Sequence, residues 1–318
     1  MHIPQITYSY FNFTIEFIEY AKLPAYKGSM FRGAFGWAFR NAVCVTKEKS
    51  CENCYLQQMC AYFLVFETEI PQNNLWFLKG VKKLSHPFVI HPPIEQLREY
   101  HKSDILNVGL TLFGNYISLL PHFVKTFKQM GESGIGVDRR KYKLIKVTNT
   151  IDSDHSNIIF DQSNTAIKEK YNIIPLGDNS KLENVSEITL EFITPARFQK
   201  AGKVLTHQSS VTFDLIYNSL LRRYYTISRL FCNGSEDDYP DPLDTSNIKV
   251  KSNNLHFHEW ERYSARQNKK VELGGFIGSI TLEGDLTSFI PLLKAGEKIN
   301  IGKNTVFGLG KYKMEINK

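Results

Sequence analysis

Cys44, Cys51, Cys54 and Cys60 fall within CVTKEKSCENCYLQQMC, with six, two and five residues between successive thiols, while Cys232 stands alone. A CxxC turn lets two thiolates converge on one ion, and four soft ligands suit tetrahedral zinc or an iron–sulfur cluster. Four reduced cysteines packed into a core are the plainer alternative, because free cysteine is commonly buried. The polar TKEKS and EN stretches between the thiols point instead to a loop at the surface. The expectation is one structural centre, zinc or [4Fe-4S], held by the four residues.

A second concentration of chemistry lies near the C-terminus, where GKNTVFGLGK sets Gly302, Gly308 and Gly310 around Asn304 and the cations Lys303 and Lys311. Glycine permits positive φ and close backbone approach, so such a loop can offer its amides as an anion-binding nest. It lacks the GxxxxGK followed by Ser or Thr of a phosphate loop, which excludes nucleotide hydrolysis of that type. Upstream, HFHEWERYSARQNKKVELGGFIG gathers Arg262, Tyr263, Arg266, Lys269 and Lys270 beside Trp260, His256 and His258. Cations interleaved with aromatics are what RNA phosphates and unstacked bases require. Taken singly, ordinary turn glycines and a solvated strand face would explain the two stretches equally well. His256 and His258, two residues apart, share one face of a strand and form a possible acid–base pair.

The elements that position these groups follow from periodicity. ITYSYFNFTIEF, Ile6 to Phe17, alternates apolar and polar residues as a half-buried strand. MFRGAFGWAFRNAV reads as a helix with Ser29 as N-cap, Met30, Ala34, Trp37 and Ala38 on one face, and Arg32 and Arg40 on others. ILNVGLTLFG has strand character, a helix starts or bends at Pro121, and VDRRKYKLIKV returns as a strand. The second half repeats the order: EITLEFITP, the long amphipathic VTFDLIYNSLLRRYYTISRLF, LGGFIGSITLEG, SFIPLLKAG, then the glycine loop and KYKMEI. This predicts an α+β protein of two tandem ferredoxin-like (βαββαβ, RRM-like) domains, with the cysteines inserted after the first helix. Domains are expected at 1–150 and 187–318, with 151–186 as a linker or inserted hairpin; one larger α+β domain is the alternative.

A chain of 318 residues with 42% hydrophobic content has enough apolar mass for two ordinary cores. Its 39 Lys and Arg against 32 Asp and Glu give a net charge of +7, a balance that attracts phosphates. The N-terminal MHIPQITYSY has no secretory pattern, and no apolar run approaches the roughly 20 residues of a membrane span. A cytoplasmic protein with reduced cysteines and no membrane partner is expected.

With these residues in view, LPAYKGSMFRGAFGWAFR, the cysteine insert running into CAYFLVFE, WERYSARQNKKVELGGFIGSI and GKNTVFGLGKY together resemble the RAMP-type CRISPR-associated endoribonucleases that process precursor crRNA. The motifs cover both halves in the family's order. The resemblance implies two ferredoxin-like domains, a glycine-rich loop near bound RNA, and metal-independent cleavage within CRISPR repeats. In that reaction the 2′-OH attacks the adjacent phosphate, leaving 2′,3′-cyclic phosphate and 5′-OH ends. Its partners would be repeat RNA and other CRISPR effector subunits. Family members often carry a catalytic histidine on or near the first helix, whereas this chain has none between His2 and His86. Relatives that work with lysine, arginine and tyrosine direct attention to Lys27 and Arg32 as stabilisers of the phosphorane and to Tyr26 as orienting or donating a proton; phosphate anchoring is the alternative role for each, and plain packing a further one for Tyr26. His256 and His258 stand in reserve, and Arg40 joins the RNA-binding set. The missing histidine favours a second reading, a non-catalytic crRNA-binding subunit. The cysteine spacing separately resembles the [4Fe-4S] motif of the endonuclease III class of DNA glycosylases. That likeness covers those residues alone and speaks to the metal, not to the enzyme.

Overall fold

A computed structural model describes residues 4–48, 50–67, 84–150, 156–163, 166–168, 172–176, 184–235, 237–264 and 269–317, with the backbone alone for 262–264 and 269. Two compact units emerge, one within residues 7–174 and the other within 175–318 together with the residues up to Ile6. Among the described residues no helix is long and apolar enough to cross a membrane.

In the first unit the chain runs β1 (Ile6–Phe17), α1 (Gly28–Val43), α2 (Ala61–Phe66), β2 (Phe88–His91), β3 (Ile105–Phe113), α3 (Leu120–Ser133), β4 (Tyr142–Thr150) and β5 (Ser156–Asp161). The antiparallel sheet has the order β2-β3-β1-β4-β5. Strand β5, which lies within the segment read as a linker or hairpin, pairs with β4. Pro121 sits in the first turn of α3, where its missing N–H costs no helical hydrogen bond.

Helix α1 differs from the sequence reading in two ways. It starts at Gly28, with Lys27 at the N-cap position and no side-chain cap from Ser29. Its buried face is Phe31, Phe35, Ala38 and Phe39, while Trp37 is 57% exposed. The phenylalanines recur every four residues and supply more apolar area than the Met30–Ala34–Trp37 stripe, so they set which way the helix rolls. Phe35 meets Phe39 at 5.3 Å and Phe123 at 5.0 Å between ring centroids, and Phe66 and Phe88 close the same cluster.

The second unit contains β6 (Glu187–Ala196), α4 (Phe213–Phe231), β7 (Lys249–Asn253), β8 (His256–His258), β9 (Glu261–Ser264), β10 (Lys269–Glu272), β11 (Gly275–Glu283), α5 (Ile290–Ile299) and β12 (Tyr312–Ile316). Its antiparallel sheet is ordered β7-β11-β6-β12, with β8 also on β11, and β9–β10 form a separate hairpin. Thr212 caps α4 by accepting a bond from the Leu215 amide at 3.2 Å. From the buried face of α4, the Tyr224 hydroxyl donates to the Pro4 carbonyl at 2.6 Å and the Leu176 carbonyl at 3.0 Å. Both units are thus mixed α and β with antiparallel sheets, compatible with a ferredoxin-like arrangement.

Candidate functional site

The groups before and along α1 divide sharply by exposure. Lys27 has 0% exposure; its ammonium donates to the carbonyls of Leu97 at 2.6 Å and of Ala25 and Glu95 at 3.3 Å, and lies 5.7 Å from the Tyr100 ring centroid. An ammonium has three donors, so the fold itself takes up this cation. Burial pushes its pKa down, with Glu95 opposing and Arg98 adding to the fall. The expectation that Lys27 faces a reacting phosphate is corrected: it ties the start of α1 to the 95–97 segment. Tyr26 is half-buried, and desolvation drives its phenol far above the ordinary range, so it keeps its proton and can act as a hydrogen-bond donor.

Arg32 lies one turn further into the helix and meets a residue 54 positions away. Its Nη2 approaches Nε2 of His86 at 3.3 Å, while its guanidinium sits 5.0 Å from the Phe66 ring centroid. The other imidazole nitrogen, Nδ1, lies 3.1 Å from the Val65 carbonyl in α2. Arginine only donates and a carbonyl only accepts, so both contacts are satisfied by the neutral imidazole with its proton on Nδ1. That tautomer leaves the Nε2 lone pair directed at the cation. The ring is fixed between Phe66 and Phe88, at 5.8 and 5.7 Å. A neutral imidazole base and a guanidinium held in contact are the parts needed to take a hydroxyl proton and to stabilise charge on a phosphate.

At the far end of α1 the four cysteines all line one cavity of about 580 Å³, together with Arg40, His122 and Lys125. Thr46 Oγ1 lies 3.9 Å from Cys44 Sγ and 3.7 Å from Cys54 Sγ. Burial raises the Cys51 thiol, Arg40 opposes this, and Glu67, Cys60 and Cys44 reinforce it. Among the described residues, no three Cys, His, Asp or Glu side chains stand close enough to form a ready coordination shell. Arg40 donates to the Glu48 carbonyl and lies 5.7 Å from the Tyr62 ring centroid, so it serves this loop.

The glycine loop is packed against its own unit. Gly302 has φ +81°, and a Cβ there would sit 2.6 Å from the Arg197 carbonyl oxygen; at Gly310, φ +71°, it would sit 1.8 Å from that of Ile301. Asn304 and Gly308, both left-handed, bracket a tight turn. The amides of Lys303, Phe307, Gly308, Gly310 and Lys311 already bond to Arg197, Asn304, Thr305, Pro195 and the Thr194 hydroxyl. The nest reading is therefore corrected: the glycines admit neighbouring backbone, and the loop presents its side chains. Desolvation lowers the Lys303 pKa, with Arg222 adding, and lowers that of Lys311, with Lys298 and Lys313 adding. Each is a cluster of like charges that an anion would relieve.

Arg197, at the end of β6, joins the two motifs of this unit. Its backbone pairs with Lys303, its Nη1 donates to the Gly274 carbonyl at 2.8 Å, and its Nη2 lies 3.6 Å from Glu272 in β10. The β9–β10 register sets Arg262 opposite Val271 and Tyr263 opposite Lys270; Lys269 pairs with Ser264. Lys270 forms an exposed ion pair with Glu261 at 3.2 Å. Arg266 lies outside the described residues. His256 and His258 are both exposed and pair with Ile277 and Gly275 on β11.

The model of the CRISPR-associated endoribonuclease Cas6 matches residues 190–312, and a model of the AF_1859 N-terminal domain matches residues 6–172. Residues 190–312 thus carry a Cas6 family domain. An uncharacterised protein of Archaeoglobus fulgidus is 22% identical over 299 residues, covering 92% of both chains. A chain of a partial Cas6-RT-Cas1–Cas2 complex is 13% identical with a TM-score of 0.58; the match covers all of this chain but only 47% of that one, so this chain spans about half its length. A Cas6 product complex, its protein that of Thermus thermophilus, is 16% identical with a TM-score of 0.51 over 97% of this chain and 100% of the other. At these identities the solved structures speak to the fold.

Four of the site residues read from the sequence fall in three places. Arg32 is in contact with an imidazole; Arg40 is with the cysteines; Lys303 and Lys311 are in the loop joined through Arg197 to the hairpin. His86 and Arg197 were not singled out. The available signal for His86 was topological: in a βαββαβ unit the second strand, here Phe88–His91, returns beside the first helix, and Phe35 touching Phe88 marks that approach.

Proposed function

We propose that this chain, built as two tandem ferredoxin-like domains, cuts CRISPR repeat RNA without a catalytic metal. The 2′-oxygen bonds to the adjacent phosphorus as the P–O5′ bond breaks, giving 2′,3′-cyclic phosphate and 5′-OH ends. Neutral His86 receives the 2′-OH proton at Nε2 as Arg32 turns from that nitrogen to the phosphorane oxygens. Tyr26, a phenol that retains its proton, is the donor considered for O5′. The Arg32–His86 contact carries this reading, because it supplies beside α1 the imidazole that the helix itself lacks. Lys303, Lys311 and the β9–β10 cations serve RNA binding.

The test is single-turnover cleavage of repeat RNA in EDTA. His86→Ala is expected to slow cleavage by roughly 10²- to 10⁴-fold with little change in affinity, as for loss of a general base. A 2′-deoxy nucleotide immediately upstream of the cut should abolish cleavage and preserve binding. An unimpaired His86→Ala enzyme would move the chemistry to His256 and His258.

A second reading, a crRNA-binding subunit that does not cut, is favoured by the burial of Lys27 and by the lack of a histidine on α1 itself. Tight binding with no cleavage by the wild-type chain would establish it. Association with further CRISPR subunits is proposed on the likeness to part of a chain from a Cas6-RT-Cas1–Cas2 complex.

A further inference from the structure

We infer that Cys44, Cys51, Cys54 and Cys60 hold a [4Fe-4S] cluster at the C-terminal end of α1. Sequence spacing and folded geometry converge on the same four residues. The thiols are spread over 17 residues, yet all four line one cavity. Their backbone is already wound for this: the Cys54 amide donates to the Cys51 carbonyl, Gln57 to Cys54, and Cys60 to Gln57, each at 3.2 Å. Gln57 Nε2 also donates to the Cys51 and Glu52 carbonyls, bracing the CxxC turn. Cys44 is anchored separately, its amide bonded to Arg40 at 2.8 Å as the helix ends. Two independent supports, a helix end and a succession of turns, therefore bring the ligands to one space.

The two candidate centres differ in how they draw in their ligands. Zinc draws four sulfurs to about 2.3 Å from a single point, which needs a tight shell. A cavity lined by all four thiols has room for a cubane, which places its four ligands at separate iron corners. Arg40 and Lys125 line the cavity and offset the excess negative charge of four thiolates around a sulfide-bridged core. Much of the remaining lining is apolar, with Val43, Leu56 and Phe63 half-buried, while Val45 and Met59 are largely exposed. The cluster would fix the α1 terminus and the short α2 that supplies Val65 to His86. It takes no part in the cleavage proposed above, and the inference stands apart from that reading.

The experiment is anaerobic purification of the full chain with iron, acid-labile sulfide and zinc analysis, alongside visible absorption before and after dithionite. About four irons and four sulfides per chain with a brown, bleachable chromophore are expected. Cys51→Ala and Cys54→Ala should lose iron and sulfide together, whereas Cys232→Ala, outside the cavity, should keep both. One zinc per chain without sulfide would overturn the cluster, as would metal-free protein after anaerobic reconstitution with iron and sulfide. Because the wild-type analysis decides between these outcomes, misfolding of a cysteine variant leaves the inference testable.

Discussion

Gly310→Ala tests whether the glycine loop is shaped by its own backbone contacts. Gly202 provides a control in the same unit: its φ is +79° against +71° at Gly310, but a Cβ there meets nothing within 4 Å. Alanine at either position bears the left-handed penalty, about 1 kcal/mol. At Gly310 the new methyl would also lie 1.8 Å from the Ile301 carbonyl oxygen, and backbone must move. That movement strains the bonds from the Ile301 amide to the Gly310 carbonyl, 2.9 Å, and from the Gly310 amide to the Pro195 carbonyl, 3.0 Å. Losing both adds about 2 kcal/mol. Gly310→Ala should therefore lower stability by about 3 kcal/mol and Gly202→Ala by about 1 kcal/mol. Urea unfolding of the two variants beside wild type measures the difference, and amide exchange at Ile301 and Gly310 locates it. Equal costs for the two substitutions, with exchange at Ile301 unaltered, would refute the packing argument.

Lys27→Ala should act on folding: removing a buried ammonium from three carbonyls is expected to cost about 2 to 4 kcal/mol, read by urea unfolding, with residual cleavage tracking the folded fraction. A fully stable variant with selectively slowed chemistry would return Lys27 to the reacting phosphate. For Lys303 and Lys311 the linkage sign is fixed by their lowered pKa in the free protein. A bound phosphate raises both, so the RNA complex holds more protons than its separated parts, and affinity should fall as pH climbs through the lowered pKa values. Titration of repeat-RNA affinity from neutral pH into the lysine range should show that decline, and the Lys303→Ala, Lys311→Ala double variant should flatten it; a flat wild-type profile would contradict the assignment.

What the sequence disclosed was what depends on neighbours in the chain. Strand β1 spans Ile6–Phe17 as its alternation predicts, and the apolar run after Thr212 becomes the long α4. The roll of α1 was misread because Met, Ala and Trp were weighted over the phenylalanines at positions 31, 35 and 39, whose partners Phe66, Phe88 and Phe123 arrive from three later segments. Lys27 looked available because a cation is normally solvated; only the carbonyls of the 95–97 segment reveal that it is enclosed. The glycines were legible as points of close approach, but what approaches could not be read, since Arg197 lies over a hundred residues before the loop. The Arg32–His86 meeting has the same origin: two residues with no shared periodicity, joined by the return of a strand.

The hydrogen bonds from Tyr224 to Pro4 and Leu176 bear on how the protein can be made. In the order of synthesis Pro4 precedes its partner Tyr224 by 220 residues. Throughout that interval the opening segment of the second unit has nothing to dock on, while the intervening chain can already build the first. Synthesis therefore imposes an order in which Pro4 is claimed only after the first unit has been made. Closure across so long a separation carries an entropic cost that grows only logarithmically with length, so it delays the final docking more than it weakens it. The same path means that cutting the chain once between the units leaves the second without its leading segment; an isolated second domain would need that segment restored, for instance by grafting it ahead of Pro175.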